Sequence, residues 1–171
     1  ALVLTGDAMD QDELIKVCLR TNNMAALSSV WYMRLQLACY FQSWNVALAM
    51  IEKLEQSRDF FVGTFSFYHH KFFESLAYIA VDRQNATRKY QSKVAKSIKE
   101  LKKLFNCGTV SCEPLVLLLE AEVASLQSNK NGLKKAYDEA VSSAEAKEMS
   151  NIRALANECA GTVFMNYDDY L

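Results

Sequence analysis

The sequence predicts an all-α fold, a superhelical stack of antiparallel helical hairpins. Three observations carry that prediction. The 171 residues include one proline, Pro114, and five glycines, well below the ordinary usage of roughly 5% and 7%. Apolar residues recur at three- and four-residue spacing along nearly the whole chain, and strict alternation is almost absent. The periodic segments are separated by joints of about two to five residues, which force neighbouring helices to run antiparallel.

Taken in order, the first helix is expected over about 8–20. The second spans 24–41, with Ala26, Val30, Met33, Leu37 and Tyr40 on one stripe. The third spans 44–57, with Ala47, Met50, Ile51 and Leu54. The fourth is expected over 59–82 and the fifth over 85–106, with Asn85 as its N-cap. Gly108 and the stretch TVSCEP end that pair. The sixth spans 112–128, because Pro114 is tolerated in a first turn. Asn129, Lys130, Asn131 and Gly132 make a turn into the seventh, 132–147. Ser150 caps the eighth, which continues to the end.

Composition excludes several function classes. Hydrophobic residues make up 51% and charged residues 23%, with a net charge of −1. That balance does not call for nucleic acid or an anionic membrane, which ask for a basic domain. The longest clean apolar run, Leu115 to Leu119, falls far short of the roughly 20 residues that cross a bilayer. The N-terminal ALVLTGDAMDQDE has no basic start and turns acidic at once, unlike a signal peptide. With no initiator methionine and an end at NYDDYL inside a helical pattern, the chain reads as a single helical-repeat domain, 1–171, cut from a longer protein. The five cysteines, Cys18, Cys39, Cys107, Cys112 and Cys159, are an odd set, three of them in apolar helical patterns. Buried free thiols in a reducing, cytoplasmic compartment are the expectation.

The candidate sites come next. His69 and His70 are the only histidines, adjacent, with Glu74 four residues beyond the second. Neighbours on a helix point about 100° apart, so the two rings cannot share one metal. His69 lies on an apolar stripe with Phe65, Phe72, Phe73 and Leu76, as a core histidine would. His70 lies with Ser66, Glu74 and Ala77 on a more polar strip, where a solvated or interhelical hydrogen bond is expected. His70 and Glu74 supply two ligands, and two ligands do not make a metal site. Cys107 and Cys112 flank the joint CGTVSC, without the two-residue gap of a redox or zinc pair. Lys89, Lys93, Lys96, Lys99, Lys102 and Lys103 draw a positive stripe, expected as a solvated outer face. Only Tyr90 interleaves with it, too little for a nucleic-acid platform. The aromatic run from Phe60 to Phe73 is expected as a core ridge, with an exposed binding surface as the alternative. No phosphate loop, GxSxG or HExxH occurs. Catalytic, metal and cofactor residues are therefore expected to be none.

The register gives the stack a family character. Ala47 and Ile51 fall where two helices of one hairpin cross, with Trp31 sixteen residues before Ala47. Ala124, Ala136 and Ala140 keep the matching spacing in the third pair. This resembles the tetratricopeptide pattern, in degenerate form. Three longer segments carry a second resemblance: FSFYHHKFFESLAYIA ahead of KSIKELKKLF; LLLEAEVASLQ followed by AYDEAVSSAEAKE; and NIRALANECAGTVFM. In this order they look like the helical-repeat segment of large multidomain signalling proteins, which also carry a Ser/Thr-kinase-like region, a P-loop ATPase and often a GAF sensor with a histidine kinase. The likeness covers about 60–165 and is strongest at Ala154 to Gly161, with Cys159 at a usual leucine position.

The resemblance implies a non-catalytic module that couples an ATP-driven region to an output domain. Its partners would be a protein, a peptide or neighbouring domains of the same chain, with no nucleic acid, membrane or cofactor. The concave surface is expected from the first helices of the pairs, 24–41, 59–82, 112–128 and 150–171. The alternatives are a stand-alone peptide-binding adaptor and a small-ligand-sensing solenoid. Ala154, Ala156, Ala160 and Gly161 are expected to admit a close neighbouring helix, with Asn157 and Glu158 capping or cross-linking.

Overall fold

The structure is a computed structural model that describes residues 5–6, 9–55, 65–127 and 132–168. Among the described residues the architecture is all-α, with eight helices and one two-residue ladder. The helices are α1 (Gln11–Arg20), α2 (Met24–Tyr40), α3 (Trp44–Glu55), α4 (Phe65–Gln84), α5 (Gln91–Asn106), α6 (Cys112–Ser125), α7 (Leu133–Ala146) and α8 (Ser150–Asp168). They divide between two compact units, Ala1–Val81 and Asp82–Leu171.

The first unit opens differently from expectation. Met9 and Asp10 do not begin the helix. They form β2, paired antiparallel with β1 (Thr5–Gly6), with Thr5 opposite Asp10. Asp10 then caps α1, its carboxylate accepting from the backbone N–H of Asp12 at 2.8 Å and Glu13 at 3.0 Å, which satisfies two orphan donors of the first turn. Asn23 does the same for α2 through the Ala26 N–H. α1 packs on α2, and α2 on α3. At the second of these contacts Ala47, Ile51 and Trp31 are buried, and the Lys53 ammonium lies 5.8 Å from the Trp31 ring centre. Residues 56–64, where the third helix was expected to end and the fourth to begin, lie outside the described set.

In the second unit α5 packs on α6, α6 on α7 and α7 on α8, and α6 also touches α8. Leu101, Leu115, Leu118, Leu119, Ala140 and Ile152 are fully enclosed. Pro114 sits in the first turn of α6 as expected, where its missing N–H has no helical partner to lose. The turn at 129–131 lies outside the described residues.

Two boundaries correct the sequence reading. α5 begins at Gln91, not 85, and α4 continues to Gln84. The cause is Asp82, buried at the end of α4. Its carboxylate accepts the Thr87 hydroxyl at 2.6 Å and the N–H groups of Lys89 at 3.0 Å and Tyr90 at 2.9 Å. Residues 85–90 are thereby held as a loop, and Asn85 does not cap a helix. Ser150 is the first residue of α8 and not its cap: the Met149 carbonyl accepts the first helical bond, from Arg153 N–H at 2.9 Å.

Five helix ends share one geometry. Asn22, Gln42, Ala86, Gly108 and Glu148 adopt left-handed backbone, with φ between 48° and 99°. Each lies two residues past a helix. Each following N–H reaches back to the helix: Asn23 to Cys18, Ser43 to Ala38, Thr87 to Asp82, Thr109 to Leu104 and Met149 to Ala144, at 2.8–3.0 Å. This is the six-to-one bond of a Schellman motif. Glycine occupies one of the five positions, so four of these stops carry no glycine signal.

Candidate functional site

The His69–His70 stretch lies on α4, and both side chains are buried. His69 behaves as the apolar stripe predicts. Its ring meets Tyr68 edge-on at 4.7 Å and lies 6.5 Å from the Phe73 ring. Burial lowers its pKa, so the neutral ring is the stable form. Of the two expectations for His70, a solvated or an interhelical hydrogen bond, the solvated one does not hold. It is 3% exposed, its ring edge-on to Tyr32 of α2 at 6.4 Å. Glu74 is also 3% exposed and accepts the Tyr78 hydroxyl at 3.2 Å. The polar strip of α4 therefore faces packed protein. Among the described residues no three His, Cys, Asp or Glu side chains converge as a metal site would require.

The aromatic run resolves the same way over its described part. Phe72 and Phe73 are fully buried and stack edge-on at 5.0 Å, and Tyr40 of α2 meets Phe73 at 5.6 Å. The Cys39 thiol donates to the Phe73 carbonyl at 3.5 Å. Phe60 and Phe61 lie outside the described residues.

The most concentrated polar site is one that sequence reasoning missed. It belongs to the second unit and joins the end of α4 to α6 and α7. Glu122 is 1% exposed. One of its carboxylate oxygens accepts the Tyr137 hydroxyl, and the other accepts Arg83 Nη2 at 2.7 Å. The same Nη2 donates to Ser125 Oγ at 2.6 Å, and Ser125 Oγ donates to the Glu122 carbonyl at 2.7 Å. Burial alone would lower the Arg83 pKa, but the Glu122 charge and hydrogen bond outweigh it and the net movement is upward. Burial and then Glu122 push the Tyr137 hydroxyl pKa up, which keeps it a donor. Every carboxylate oxygen is thus occupied from within. The arrangement locks three elements together and presents no free base or nucleophile at a cleft. Partners 39 and 15 residues from Glu122 leave no periodic signal. The only available hint was an isolated glutamate on the otherwise apolar face of the sixth helix.

Cys107 is exposed and Cys112 buried, and both are free thiols. Burial pushes the Cys112 pKa up to about 11. The α5 lysines are exposed, opposite buried Val94, Ser97 and Leu101, so the outer-face expectation holds. An open cleft of about 500 Å³ lies between α6 and α7, lined by Glu113, Leu117, Lys135, Asp138, Glu139, Ser142 and Ser143. Its acids are paired: Asp138 with Lys134 at 2.7 Å, Glu139 with Lys135 at 3.6 Å, and Glu113 with Lys147 at 3.0 Å. Lys147 and Ser143 hold the Glu113 carboxyl below the usual carboxylate range.

The ALANECAG stretch on α8 is only partly packed. Ala156 is buried and Ala160 half-buried, but Ala154 and Gly161 are exposed, and a Cβ at Gly161 would meet nothing within 4 Å. Asn157 does not bridge helices; its amide donates to the Arg153 carbonyl of its own helix at 2.8 Å. No protein-family model, curated protein or solved structure matches this chain. Among the described residues no helix is long and apolar enough to cross a membrane.

Proposed function

We propose that this chain is a non-catalytic interaction and coupling module, built as a tetratricopeptide-like stack of helical hairpins within a multidomain signal-transduction protein. The observation that carries the reading is the neighbour-by-neighbour packing of α5 through α8, with α6 also meeting α8. In a solenoid each hairpin touches the next, and equivalent helices of successive hairpins adjoin. The repeated Schellman stops, three of them closing three-residue joints before α2, α3 and α8, support the same reading. So does the polar chemistry. His70, Glu74, Glu122 and Tyr137 are spent on internal contacts, which suits a scaffold better than an enzyme.

In this reading the first helices of the pairs present the residues that take a peptide or a neighbouring domain, α2 within the first unit and α6 and α8 within the second. Reading the coding region on both sides is the first test. A P-loop ATPase before it and a sensor or kinase after it support the coupling role. Start and stop codons close by favour the stand-alone adaptor. The surface assignment is tested by Met33→Glu and Asn157→Arg, at exposed positions of α2 and α8. Signalling output should fall while helicity is retained; unchanged output would overturn the assignment.

A further inference from the structure

We propose that Arg34 and Lys53 form a binding site for a small oxyanion, a carboxylate or phosphate group, beside Trp31 in the first unit. The inference rests on the chemistry of these side chains and does not depend on the coupling role.

Among the described residues four cationic side chains are half-buried: Arg34, Lys71, Arg83 and Lys147. Three of them have their charge met within the protein. Arg83 meets Glu122 at 2.7 Å, Lys147 meets Glu113 at 3.0 Å, and the Lys71 ammonium lies 5.7 Å from the Phe67 ring centre. The Arg34 side chain makes no ion pair or hydrogen bond among the described residues, and its Nε is closed off from solvent without a partner. Its Nη groups reach the surface. Leu27, Trp31 and Ala38, all buried, share the face of α2 that carries Arg34, at three- and four-residue spacing. A leucine at position 34 would continue that apolar stripe. A charged side chain there, with one donor sealed, is destabilising for the fold taken alone.

The second cation comes from α3. The exposed Lys53 ammonium lies 5.8 Å from the Trp31 ring centre, and Arg34 follows Trp31 by three residues on the same helix, so both cations border one indole. Lys53 makes no ion pair among the described residues. The nearest acids along α3, Glu52 and Glu55, are exposed and lie about 100° and 160° round the helix from it. Lys89 also lies against a ring, Tyr90 at 5.0 Å, but the arginine beside it, Arg88, is exposed and fully solvated. What sets the Trp31 pair apart is the partly solvated charge of Arg34. An oxyanion supplies what the pair lacks. With Nε sealed, the two Nη groups present parallel N–H donors that match two oxygens of a carboxylate or phosphate. The Lys53 ammonium adds a mobile point charge, and the buried indole strengthens both by keeping water from one side.

The test uses the full chain, with inorganic phosphate and acetate as separate probes at constant ionic strength. The Arg34 Nε–H resonance in a proton–nitrogen NMR spectrum should move saturably with at least one of them. A response to one and not the other names the group. At ten times the midpoint concentration the Tm should rise by about 3–5 °C. Arg34→Leu should abolish the Tm response without lowering the Tm of the ligand-free protein. Lys53→Gln should shift the midpoint upward about fivefold, and Lys135→Gln, at a paired surface lysine, by less than about twofold. The wild-type resonance and the two lysine variants decide the matter even where Arg34→Leu folds poorly. No saturable movement with either probe, a Tm response kept in Arg34→Leu, or equal weakening by the two lysine variants overturns the proposal.

Discussion

Arg83 Nη2 stands 2.7 Å from a carboxylate oxygen of Glu122, a residue 39 positions away in sequence whose side chain is 2% exposed. Removing the cation leaves a buried charge with one hydroxyl for company. Arg83→Met should therefore destabilise the protein by about 3–5 kcal/mol. Adding Glu122→Gln, which removes the charge and keeps an acceptor for Tyr137, should recover a large part of that loss. Urea unfolding of both single variants and the double variant measures the coupling. A loss below about 1 kcal/mol for Arg83→Met would place the pair with ordinary surface ion pairs.

Non-glycine residues in left-handed backbone are strained by about 1–2 kcal/mol. Glycine relieves that strain but carries about 0.5–1 kcal/mol of extra unfolded-state entropy. Gln42→Gly, Ala86→Gly and Glu148→Gly should each raise stability by up to about 1 kcal/mol, and Gly108→Ala should lower it. Thermal unfolding of the four variants gives the signs directly.

His69 brings a pH dependence. Its folded pKa is lowered by burial, so the unfolded chain binds the proton more readily. Stability is complete above the unfolded value of about 6.5 and is lost as the pH falls through the folded pKa. His69→Phe should remove that step, read as a smaller drop in Tm between about pH 7.5 and 5.5. The Glu113 contribution is separate: its carboxyl is held below 4.5 by Lys147 and Ser143, so that part is lost only in the more acidic range.

Thiol reactivity should follow burial. Cys107 is exposed; Cys112 and Cys39 are enclosed, with pKa values pushed up by burial. Native alkylation with iodoacetamide followed by mass spectrometry should label Cys107 first, half-buried Cys159 later, and Cys39 and Cys112 only on unfolding. Labelling of Cys112 as fast as Cys107 would mean that the start of α6 opens in the native state.

The helices were legible because apolar periodicity and the first-turn position of Pro114 are local signals. The start of α5 was not, because Asn85 offers a local cap while Asp82 gathers the loop through bonds to residues up to eight positions on. The polar strip of His70 and Glu74 left a solvated face and an interhelical contact both open, and the packing of Tyr32 of α2 against His70 excludes the first. The Arg83–Glu122–Tyr137 knot depends on packing across three elements and was invisible for the same reason. The lysine face was legible from Lys93 onward, since an outer helix face follows from the residues opposite to it; Lys89, expected on the same stripe, lies in the loop before α5.

The five Schellman stops also bear on how this chain tolerates change. Their bonds run from backbone to backbone, so almost any residue can occupy the turning point at a modest penalty, as asparagine, glutamine, alanine and glutamate do here. Residue count is held far more tightly than residue identity. One inserted residue between Tyr40 and Trp44 would break the reach of Ser43 N–H to the Ala38 carbonyl and release two backbone torsions between helices. Substitution should be forgiven at these joints where insertion is not.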